Sequence, residues 1–139
     1  MATWIFFALG SAAFAALVAI FGKIGITGID STLATTVRAV IMAVFLVIVA
    51  LLFGKGQLIG TITLRPFSFI VLSGVAGALS WLCYFFALKY GPAAGVAALD
   101  RLSVVFVLFF AALFLAEKLT WKTLIGSILI TAGALFMVL

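Results

Sequence analysis

From Ala2 to Gly22 the chain carries no charged side chain, and uncharged apolar runs of similar length recur along all of its 139 residues. A helix of about 20 apolar residues crosses the hydrocarbon core of a bilayer. Lipid offers no water to satisfy free peptide groups, so a chain of such runs must fold as helices or as a closed barrel. Barrel strands would show about 10 residues of alternating polarity, whereas here the apolar runs are continuous. Composition points the same way: 68% of the residues are hydrophobic and 8% are charged, against roughly 25% charged in soluble domains. The fold class expected is an all-α integral membrane bundle.

Charges and turn residues divide the chain. The first span, about 2–22, closes at Lys23, and GKIGITGID then supplies glycines followed by Asp30 or Ser31 as an N-cap. The second, about 32–53, is interrupted only by Arg38. GKGQLIGTITLRP is the longest connection, and Pro66 restarts a helix, about 66–88, that has no charge before Lys89. In KYGP, Gly91 suits a C-cap and Pro92 the first turn of a fourth span, about 92–116. EKLTWK makes a short polar turn, and a fifth span, about 119–139, completes a single five-helix membrane domain. No basic segment precedes Ala2, so no removable signal peptide is expected.

Several function classes fall away. Histidine is absent and Cys83 is the one cysteine, which removes the commonest general base, an intrachain disulfide and a CxxC metal site. No enzyme activity and no cofactor or metal are expected. The net charge of +5 comes from bases scattered at span ends, without a basic stripe; nucleic acid is not an expected partner. Snorkelling and interfacial anchoring account for these bases, and for Trp4, Tyr90 and Trp121 near span ends.

Three charges lie inside spans: Arg38, Asp100 and Arg101. A charge at the bilayer centre costs at least about 2.5–3.5 kcal/mol, so such groups face a bundle interior or a watery cavity. Arg38 follows Ser31 by seven residues and Asp100 follows Pro92 by eight, about 10–12 Å into helices that start on the same face. Adjacent helical residues point about 100° apart, so Asp100 needs a partner from another helix, and Arg38 is the best placed. Two readings stay open. Arg38 or Arg101 neutralises Asp100 as a strut, or the three line a polar pocket. In the pocket an arginine fork holds a carboxylate or phosphate and Asp100 takes an ammonium or a coupling proton. Trp81 and Tyr84, three residues apart, share a helix face; they line a cavity or simply pack. Small residues at Ser73–Ala78 and at Gly126 with Gly133 suit close helix contacts.

The bias that sets orientation is small. Lys55, Arg65, Lys118 and Lys122 fall on one face, Lys23 and Lys89 on the other, with Arg38 and Arg101 entering from that second side. A cytoplasmic N-terminus is only weakly favoured. Such balance suits a chain inserted both ways, and inverted repeats are a recurrent way to build transporters. A homodimer is therefore expected, antiparallel in one version.

From Ala87 the sequence reads ALKYGPAAGVAALDRLSVVFVLFFAALFLAEKLTWKTLIGSILITAGALFMVL. Its small-residue entry after YGPA, its AxxFLxEKLT turn carrying Glu117 and its last helix of form IGxxLIxxG resemble the C-terminal half of the EamA domain of the drug/metabolite transporter superfamily. Arg38 is similar in place to that domain's recurring arginine, and the resemblance extends over essentially the whole chain. It implies a five-helix unit, normally present twice in tandem with the second copy inverted, and hence here a dimer forming a ten-helix unit. It also implies a multi-pass protein of a bacterial-type inner membrane, carrying a small metabolite such as an amino acid or a related compound by alternating access. On this reading the residues already singled out by charge and spacing, Arg38, Asp100, Arg101, Trp81 and Tyr84, would be the substrate-side ones. Many members have a proline where this chain reads Leu102-Ser103; the DRLS form resembles the single-domain subgroup. Two alternatives stand beside this reading. One is a non-transporting membrane subunit whose three intramembrane charges are assembly contacts; on either reading Glu117 and Lys118 brace the hairpin into the last helix. The other is an exporter of cations like the small multidrug resistance family, disfavoured because Ala2–Gly22 holds no acid.

Overall fold

The computed structural model describes residues 3–139, which leaves Ala2, the first residue of the expected 2–22 span, outside the described residues. Six α-helices follow one another: α1 (Thr3–Gly25), α2 (Ser31–Leu52), α3 (Leu64–Tyr90), α4 (Ala93–Asp100), α5 (Ser103–Phe114) and α6 (Trp121–Phe136). A 3-10 segment, Lys55–Thr61, joins α2 to α3. Among the described residues, four helical stretches are long and apolar enough to cross a membrane, namely α1, α2, α3 and the joined α4–α5 run Ala93–Phe114.

Local chemistry sets the ends. Asp30 caps α2, its carboxylate accepting from the Leu33 N–H at 3.0 Å; of the two cap residues expected, Ser31 is instead the first helical residue. Pro66 lies in the first turn of α3, where its missing N–H costs no bond. Thr120 caps α6 through a reciprocal pair, accepting from the Thr123 N–H at 3.2 Å while the Thr123 hydroxyl accepts from the Thr120 N–H at 3.0 Å. That box starts α6 at Trp121 rather than 119, and the helix has 16 residues. At about 1.5 Å per residue it is about 24 Å long, shorter than the expected 119–139 crossing.

The span expected at about 92–116 is present as the joined run Ala93–Phe114, with a break inside it. Arg101 and Leu102 donate to Ala98 and Leu99 at 3.1 and 2.9 Å, and Val104 and Val105 donate to Arg101 and Leu102 at 3.1 and 2.9 Å. These are three-residue steps, a 3-10 tightening that divides α4 from α5 at the Asp-Arg pair. Gly91 stands directly after the last residue of α3, where a C-cap is expected, without the left-handed φ that Gly28 and Gly54 adopt. Its carbonyl accepts a 2.9 Å bond from Lys23 Nζ.

The chain divides into two compact units, residues 24–89 and residues 1–23 with 90–139. In the second of these α4 and α5 pack on α6. Gly95 lets α4 sit close, since a Cβ there would lie 3.3 Å from Pro92 Cγ and 3.6 Å from Val138 Cγ2. The buried residues of this unit are mostly small, Ala19, Ala98, Ala111 and Ala134 among them. That is how helices associate in lipid, where apolar burial gives no preference for protein over acyl chains. Large side chains such as Phe45, Phe69 and Phe106 point outward. Hydroxyls along the helices bond back to their own backbones: Thr35 to the Ser31 carbonyl at 2.7 Å and Thr131 to the Ser127 carbonyl at 2.8 Å.

Candidate functional site

Arg38 is about 10 Å along α2 from Ser31, and Trp81 is about 13 Å along α3 from Tyr90, counted at about 1.5 Å per residue. Both belong to unit 24–89, and the connection between the two helices lies at their other ends. Similar distances from these ends let the side chains meet. The Arg38 guanidinium carbon lies 3.6 Å from the centre of the Trp81 ring and 5.5 Å from that of Phe85. A cation this close to an indole face gains about 0.5–1 kcal/mol when exposed and about 2 when desolvated.

The rings beneath it form one cluster. Trp81 and Tyr84 meet edge to face with centroids 5.4 Å apart, and Phe85 lies 5.9 Å from Trp81 and 6.3 Å from Tyr84. Phe85 is buried, while Trp81, Tyr84 and Arg38 are half-buried. One edge-to-face and two tilted ring contacts tie the three rings together, so the arginine rests on a packed aromatic surface.

A guanidinium has five N–H donors and no acceptor capacity. Asp30 is the only carboxylate in the unit, and it caps α2. Among the described residues of the unit, the contacts of Arg38 are its two aromatic rings. A full positive charge within a span thus has a covered face and an unspent donor edge. Lipid tails supply no acceptor for that edge; water or an anion does.

Arg38, Trp81 and Tyr84 are thereby brought together, and Phe85 joins them. Phe85 was missed although it follows Trp81 by four residues, the spacing that puts side chains on one helix face. Asp100 and Arg101 lie in the other unit, at the α4–α5 joint, and both are exposed. At the far end of α4, the Lys23 bond to the Gly91 carbonyl fastens the chain entering that helix. A groove of about 300 Å³ between α5 and α6 is lined by Val105, Ser127, Ile128, Thr131, Ala132 and Leu135. Its two hydroxyls are spent on backbone carbonyls of α6, so it presents an apolar wall.

Several helices of membrane length and apolar composition, packed through small residues, define a multi-pass membrane protein. The chain belongs to the EamA-like transporter family, whose model matches residues 2–139. It is 46% identical over 135 residues to an uncharacterized transporter in the cobO 3' region of Sinorhizobium sp, a match that spans 97% of this chain and 96% of that protein. It is also 36% identical over 69 residues to the pseudopaline exporter CntI of Pseudomonas aeruginosa. That match covers 50% of this chain but 24% of the exporter, which is therefore about twice as long. No solved structure matches.

Proposed function

We propose that the chain is a secondary transporter of a small metabolite, an amino acid or a related compound, working by alternating access as a homodimer in a bacterial-type inner membrane. The observation that carries this reading is Arg38, held 3.6 Å from the Trp81 ring inside a span with no carboxylate free in its unit. A strut needs a partner, and a binding site needs an unspent donor; Arg38 has the latter. In the other unit, Asp100 and Arg101 at the α4–α5 joint are a separate candidate position, Asp100 taking an ammonium or a coupling proton. Membership of a transporter family supports the class of activity, and an exporter relative of about twice the length supports two copies of this chain in place of one longer chain.

Reconstitution into proteoliposomes with a panel of radiolabelled amino acids and related metabolites tests it. Saturable flux of at least one compound is expected, abolished by Asp100→Asn with insertion and dimer formation unchanged. Flux untouched by Asp100→Asn removes Asp100 from the path. Absence of flux across the panel, with the chain stably inserted, favours a non-transporting subunit.

A further inference from the structure

We infer that the Arg38 seat takes a single carboxylate carried beside a flat apolar group, so that the compounds handled are organic monoanions, or zwitterions entering acid end first. This rests on the transporter reading and specifies the charge and shape it requires. Three observations lead there.

The first is charge. Unit 24–89 places one cation in the interior of a span, Arg38, with Arg65 and Lys89 at the two ends of α3, and its one acid is committed to the α2 N-cap. A monoanion leaves the occupied seat neutral. A cation would double the charge, and a phosphate dianion would leave a net negative charge some 10 Å into the span, where each uncompensated charge is costly.

The second is geometry. Trp81 covers one face of the guanidinium at 3.6 Å, which holds the group in place and leaves the planar donor edge to bond. Two parallel N–H groups match the two oxygens of a carboxylate, a pairing both stronger and more directional than a neutral hydrogen bond. A lysine would supply charge without that fork.

The third is the surroundings. Trp81, Tyr84 and Phe85 form a three-ring cluster beside the charge. An aromatic body attached to the carboxylate continues this stacking, whereas a hydrated body would lose water against it. No second acid of the unit is available for an ammonium group, so the seat itself has no requirement for one.

The test uses the full-length protein in vesicles with Trp4 and Trp121, both exposed, changed to Phe, so that Trp81 is the remaining tryptophan. Its fluorescence is titrated with benzoate, phenylalanine, phenylphosphate and phenethylamine, which share a ring and differ in charge. Benzoate is expected to shift the emission saturably, phenylalanine to do so comparably or more weakly, and the dianion and the cation to bind at least about tenfold more weakly. Arg38→Gln should weaken benzoate binding about tenfold or more, the loss of a charge-assisted pair. Should Arg38→Gln fail to insert, Arg38→Lys, which keeps the charge and loses the fork, should still weaken it several-fold. Equal binding of phenethylamine, or benzoate binding indifferent to both variants, overturns the inference.

Lipid headgroups also offer an oxyanion, so each titration is run in phosphatidylcholine vesicles and in vesicles half phosphatidylglycerol. An emission shift produced by the anionic lipid itself, and competed by benzoate, makes the seat a lipid site and overturns the substrate assignment. Flux separates the two readings. Saturable flux of an uncharged or cationic compound with no carboxylate response leaves the transporter standing without this seat; carboxylate binding without flux of any bound compound leaves the seat and removes the transporter.

Discussion

Ala116 has φ of 52°, a left-handed conformation in which its Cβ crowds the following carbonyl. It follows the C-cap of α5, Leu115, and lets the Glu117 N–H turn back onto the Ala111 carbonyl at 3.2 Å. Gly54 does the same for α2, after Phe53, with φ of 66°. One position has the residue suited to that backbone and the other does not. Ala116→Gly should therefore stabilise the protein by roughly 1 kcal/mol, and Gly54→Ala, whose new Cβ would meet nothing within 4 Å, should destabilise it by a similar amount. Equilibrium unfolding in mixed micelles measures both. The start of α2 offers a second contrast. Asp30→Ala removes the cap and should cost about 1 kcal/mol. Ser31→Ala should cost nothing or stabilise, because the Ser31 hydroxyl is fully buried without a hydrogen-bond partner among the described residues. Sequence reasoning could place a cap at Asp30 or Ser31 but not choose between them, since both side chains can accept from a free helix N–H. The Ala116 turn was invisible to it, because no glycine marks the spot.

The α4–α5 joint was equally hidden, and for a related reason: nothing in LDRLS breaks a helix by its own propensity. Apolar length locates helices in lipid well, and α1, α2 and α3 lie within three residues of the spans read from charge spacing. Depth counting along those helices also made Arg38, Trp81 and Tyr84 candidates. That Arg38 rests on Trp81 depends on the rotation of α2 against α3, which hydropathy does not encode. The joint has a measurable consequence. Three-residue hydrogen bonds are poorer than four-residue ones, so the amides of Arg101, Leu102, Val104 and Val105 should exchange with deuterium faster than those of 108–112 in α5. The Lys23 bond to Gly91 anchors the other end of α4. Lys23→Met, which loses a hydrogen bond to a charged group, should raise exchange across 92–96 roughly tenfold while leaving α6 unchanged. Uniform protection from 93 to 114 in mass-spectrometric exchange would mean that the span behaves as one rigid helix.

For the molecule as a whole, near-balanced charge and the exposure of Asp100 and Arg101 bear on the same question. Both side chains are exposed inside a stretch long and apolar enough to cross the membrane, and lipid is a costly neighbour for either. A second copy of the chain covers them if the proposed homodimer forms, and light scattering in detergent should then report twice the 14.6 kDa of the chain. If the pair is antiparallel, the chain must insert both ways, and the loop lysines and arginines should be too evenly spread to prevent it. Reporters fused at Leu139 should then appear on both faces of the membrane. Two lysines added in the 55–61 segment, beside Lys55, should bias insertion to one orientation, since the positive-inside rule counts bases in short loops. Two added beside Lys23, at 25 and 29, should bias it the other way. Each biased version alone should lose flux, because it supplies one of two required orientations, and co-expression of both should restore it. Flux retained by one biased version on its own, with its reporter on a single face, would show that the working unit is parallel or a single chain.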